Sequence, residues 1–174
     1  MSRSGYTEDC EGADLAMWRG AVASAVRGKR GQAFLAELVT ALDAIPEKRL
    51  GANALRDDNG DFCALGTVGN ARGLNLAAID PEDRETVAES FGIATAMAAE
   101  IMFENDECVD SYKWVTHEIC GPVRPNWPDW WHHTKQVRIA APDVEQRRWR
   151  HMRNWALAHL KTHNAKLTGR SLGD

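Results

Sequence analysis

No apolar run in this 174-residue chain approaches the ~20 residues needed to cross a bilayer, which argues against a membrane-spanning segment. The opening stretch, MSRSGYTEDCEGADLAMW, lacks the apolar centre of an export signal and is broken by acids. The four cysteines (Cys10, Cys63, Cys108 and Cys120) form no CxxC pair. Without an export signal they read as reduced thiols, with Cys63 packed in the core, and the expected compartment is the cytoplasm. There is no GxxxxGK[ST] loop to cradle a nucleotide phosphate and no GxSxG elbow to present a nucleophilic serine. Nor is there an internal repeat or a low-complexity tract. With 21 bases against 25 acids, the net charge of -4 is too small to name a partner; its distribution matters more.

What is present is helical periodicity. Leu15, Trp18, Val22 and Ala25/Val26 recur at three- and four-residue steps, predicting a helix from about Asp9 to Arg27. Gly28 and Gly31 punctuate the chain, and a second helix is expected over Gln32–Ala44, with Phe34, Leu35, Leu38 and Leu42 inward and Pro46 ending it. Asp57-Asp58-Asn59-Gly60-Asp61 is a turn, flanked either by a small hairpin or by an irregular loop. Helices follow over Phe62–Arg72, from Asp80-Pro81-Glu82 to Gly92, and from Ile93 to about Glu104. The last runs from near Pro142 to His163, with Trp149, Met152, Trp155 and Leu160 inside and Arg147, Arg148, Arg150 and Arg153 mostly outside. The expected fold is mainly α: one domain, residues 1–174, of five to six helices with a small β element over 50–62 or 110–140.

Residues 108–141 stand apart as an insertion within that domain. They hold Trp114, Trp127, Trp130 and Trp131, three of the six histidines, and Pro122, Pro125 and Pro128. The prolines break any continuous helix, and Ser111–Ile119 and Lys135–Ala140 are expected as short strands. So much aromatic surface either packs on the core or meets a partner.

The stretches RGKRGQAFLAELVTALDAIPEKRL, CALGTVGNARG, DPEDRETVAESFGIATAMAAEIMFENDE and RRWRHMRNWALAHL resemble uncharacterised proteins of tailed bacteriophages and prophages. The resemblance covers roughly residues 18–107 and 145–160, while 108–141 departs from it. It implies a phage accessory protein in the bacterial cytoplasm and carries over no functional residue.

Several sites compete on chemistry. Trp127, Trp130 and Trp131 are candidate partner-binding residues, since tryptophan buries large area at low entropic cost. The plainer alternative is a staple holding the segment on the core. Arg27, Lys29 and Arg30 open a helix and would suit a phosphate or nucleic-acid backbone; the alternative is a solvated turn. His117, Cys120, His132 and His133 supply zinc-ligand types without the spacing of a known zinc module. No cofactor, metal ligand set or catalytic residue is assigned, and a non-enzymatic protein is expected. Charge is segregated: Asp80–Asp110 carries ten acids against one base, and Asp143–Arg170 seven bases against two acids. These faces either meet in the fold, with Glu104, Asp106 and Glu107 pairing with arginines of the last helix, or one is offered outward. The expected partner is a host protein, with nucleic acid, then metal, as alternatives.

Overall fold

The computed structural model describes residues 3–6, 12–118 and 134–160. Trp127, Trp130, Trp131, Cys120, His132 and His133 lie outside the described residues. The fold is mainly α with a small two-stranded antiparallel sheet. It divides into two compact units, residues 1–109 with 145–174, and residues 110–144.

In the first unit, helix α1 (Gly12–Arg27) and helix α2 (Lys29–Ala44) are separated by Gly28 alone. Helix α2 starts three residues before the expected Gln32, because extended Gly28 completes the turn by itself. Gly31 is required there, since a Cβ would stand 2.1 Å from the Ala25 carbonyl oxygen. Phe34, Leu35, Leu38, Ala41 and Leu42 form the buried stripe of α2. Ile45, held extended before Pro46, ends it.

Helix α3 (Ala64–Ala71) is shorter than the predicted Phe62–Arg72 because Cys63 serves as its cap, the thiol sulfur accepting from the Gly66 amide. Upstream, the Asp57 carboxylate accepts from the amides of Asn59 and Asp61 and closes the turn. Of the hairpin considered for 50–62, the described residues show one bridge, Arg56 to Phe62, flanked by backbone bonds from the Asp57 amide to Asp61 and from the Cys63 amide to Leu55.

Helix α4 (Arg84–Phe91) begins later than Asp80-Pro81-Glu82 suggests. Asp83 is its true cap, accepting from the amides of Glu85 and Thr86 and from the Thr86 hydroxyl. Asp80 instead closes the preceding turn on the Glu82 amide. Left-handed Gly92 ends α4 as expected. Ile93 belongs to that closure, donating its amide to Ala88, which delays helix α5 to Thr95–Asp106.

Helix α6 (Val144–His159) buries Met152, Trp155 and Ala156, the stripe expected from its spacing. Arg148 corrects the reading of its arginines as outward. It is only 5% exposed, with Nε donating to the Asn105 carbonyl and Nη1 to the Leu50 carbonyl, both at 2.8 Å. An arginine stem is long enough to cross an apolar face and deliver its donors to backbone acceptors beyond it. Burial pulls the Arg148 pKa below the usual arginine range.

Around that guanidinium lies a buried polar junction. Asn105 accepts from the Ala64 amide and donates to the Gly51 carbonyl and the Asp106 carboxylate. Asp106 holds Arg3, whose side chain is 2% exposed, so the segment Arg3–Tyr6 is tied to the end of α5. Ser4 donates to Glu107, and Tyr6 donates to Glu100. Among the described residues, the acids at the end of α5 pair with Arg3, Ser4 and His151.

In the second unit, strand β1 (Tyr112–Glu118) pairs antiparallel with strand β2 (Thr134–Ala140), Tyr112 opposite Ala140 and Glu118 opposite Thr134. Both strands begin or end within a residue or two of the expected bounds.

Candidate interaction ribbon and metal-ligating cluster

Alternation along a strand sorts the ribbon into two faces. One carries Tyr112, Trp114, Thr116 and Glu118 with Ala140, Arg138, Gln136 and Thr134; the other carries Lys113, Val115 and His117 with Ile139, Val137 and Lys135. On the first face Trp114 is 69% and Tyr112 49% exposed. The Arg138 guanidinium stands 4.0 Å from the Tyr112 ring centroid, and Gln136 donates to the Thr116 hydroxyl. This is an amphipathic platform of two exposed rings, with one cation held over the Tyr112 ring. Lys113 and Lys135 add positive charge to the opposite face, against Glu118 as the strands' single acid.

His117 is exposed, directly across from Lys135. An ammonium facing it opposes cation binding at that position. The other three members of its proposed metal set lie outside the described residues.

Arg27, Lys29 and Arg30 are exposed around the α1–α2 turn. Arg27 Nε donates to the Ala23 carbonyl, and the first turn of α2 has no side-chain cap on its amides. The basic C-terminal helix is less available than its composition suggests. Arg148 is internal, and Arg153 makes a two-pronged pair with Asp43, which holds that carboxyl below the usual range.

A different cluster of ligating types is formed at the junction of α5 and α6. Glu104 sits in the last turn of α5, Cys108 one turn further on, and His151 in the middle of α6. One donor atom from each lies within 4.8 Å of the others. His151 Nε2 is 2.6 Å from Glu104 Oε2, and Cys108 is exposed. Burial of the sulfur and the neighbouring carboxylates of Glu104, Glu100 and Glu107 push the Cys108 thiol up to about 12. His151 escaped the sequence reading because its partners are 47 and 43 positions away and no local motif surrounds it.

A cavity of about 890 Å³ is lined by Tyr6, Trp18, Val22, Glu100, Phe103 and His159 among others. Tyr6 packs edge-on against both Trp18 and Phe103.

No family model matches this chain, and no curated protein or solved structure does either.

Proposed function

We propose that this is a phage or prophage accessory protein that acts by binding a host protein through the Tyr112–Trp114–Arg138 face of its ribbon. The observation that carries this reading is the 69% exposure of Trp114 beside a second exposed ring. Two aromatic side chains of this kind each bury ~150–250 Å² when covered, enough to anchor an interface at low entropic cost. Arg138, on the same face, favours a partner that sets an acid beside an apolar centre. Trp127, Trp130 and Trp131, which lie outside the described residues, are proposed as further contacts from the same stretch of sequence.

The test is affinity capture from host lysate with nuclease present, followed by titration of the recovered partner against wild-type protein and Trp114→Ala. The alanine variant is expected to weaken binding by about 2 kcal/mol or more, roughly 30-fold. A partner captured equally well by Trp114→Ala would remove the ribbon from the interface.

Nucleic acid is the second reading, favoured by the exposure of Lys29 and Arg30 at uncapped amides. It requires recovery that nuclease abolishes and an affinity that falls steeply with salt. The inward commitment of Arg148 and the pairing of Arg153 leave this reading fewer cations than the composition offered.

A further inference from the structure

We infer that Glu104, Cys108 and His151 form a binding site for a divalent transition metal, zinc by preference, independent of the ribbon. The three side chains bring one carboxylate oxygen, one sulfur and one imidazole nitrogen together from two helices and the residues that follow the first. That mixed donor set suits zinc, and sulfur argues against magnesium or calcium. At zinc bond lengths of ~2.0–2.3 Å, tetrahedral donors stand roughly 3.4–3.6 Å apart. The present spacings bracket that value, from 2.6 Å between His151 and Glu104 to a limit of 4.8 Å across the set. His151 and Glu104 are part-exposed and Cys108 is exposed, which leaves these side chains room to rotate.

The surroundings point to a cation as well. The last turn of α5 contains no basic residue, and the carbonyl end of a helix carries negative partial charge. Glu100 and Glu107 lie close enough to the Cys108 sulfur to act on it electrostatically. Arg3 does not cancel them, being committed to Asp106. Binding would exchange the His151–Glu104 hydrogen bond for two metal bonds, and Cys108 would bind as thiolate, releasing its proton to solvent. Three protein ligands leave a fourth position for water or a donor from elsewhere.

The experiment is titration of zinc and of cobalt into metal-free, full-length protein carrying no polyhistidine tag. Calorimetry reads stoichiometry, and cobalt reads the thiolate through its near-ultraviolet sulfur-to-metal band. One equivalent is expected, with the band lost in Cys108→Ser and affinity reduced beyond the ~10–100-fold typical of an outer-shell change. His151→Ala should weaken binding similarly, and Cys120→Ser should change nothing. Since Cys108 is exposed, its serine variant keeps the fold, which circular dichroism verifies. Absence of binding tighter than about 10 μM, which corresponds to ~7 kcal/mol, would overturn the site. So would a cobalt band that survives Cys108→Ser but disappears in Cys120→Ser.

Discussion

Replacing Arg148 by alanine is expected to cost about 3 kcal/mol of unfolding free energy and to lower Tm by roughly 6–12 °C. Two backbone carbonyls, Leu50 and Asn105, lose their donor at a place where the arginine was 5% exposed. Each buried acceptor left without a partner costs ~1–3 kcal/mol, and a cavity where the stem lay adds to that. Part of the loss is offset, because the charge itself was unfavourable to bury, as its lowered pKa records. Arg148→Met separates these effects, since it restores the stem volume but not the donors. Thermal melts and urea titrations of both variants are the measurement. An alanine variant that melts with the wild type would mean that the two carbonyls are satisfied by water.

Gly66→Ala is expected to be comparably damaging, at the upper end of the ~1–3 kcal/mol usual for overpacking or beyond it. An added methyl would stand 1.7 Å from the Leu55 carbonyl oxygen and 2.7 Å from its carbon. Both are backbone atoms, so no rotamer change relieves the clash. The Leu55 segment is also held in place, its carbonyl accepting from the Cys63 amide and the residue only 3% exposed. Gly20 provides the opposite case. It lies inside α1 with open space where a methyl would go, nothing standing within 4 Å, and Gly20→Ala should stabilise by ~0.5–1 kcal/mol. Denaturant midpoints of the two variants should therefore move in opposite directions. Equal shifts would contradict the close approach of α3 to Leu55.

The contrast between these positions also explains what the sequence could disclose. The stripes of α2 and α6 were legible because periodic spacing reports directly on a buried face. Gly92 was legible as a stop because the need for left-handed backbone is local. Asp80 misled because Asp83, three residues on, had the better cap: two amides and a hydroxyl in place of one turn amide. Arg148 was misplaced because its partners are backbone carbonyls 43 and 98 residues away, which have no side-chain signature. The same holds for the candidate site. Trp114 stood out by type, and its strand was expected, but that it shares a face with Tyr112 and Arg138 follows only from the register of the ribbon. Glu104, Cys108 and His151 converge through the packing of α5 and α6, and a helix–helix contact is not written in either helix alone.

The cap of α3 has a practical consequence. A thiol that is 1% exposed and already engaged with the Gly66 amide is closed to alkylating reagents while the helical body is intact. Modification of Cys63 then has to wait for an opening of the α3 region, and its pace at low reagent reactivity measures the fraction of molecules in which that region is open. The molecule thus carries a built-in gauge of breathing around α3, read at one native thiol in a mass spectrometer.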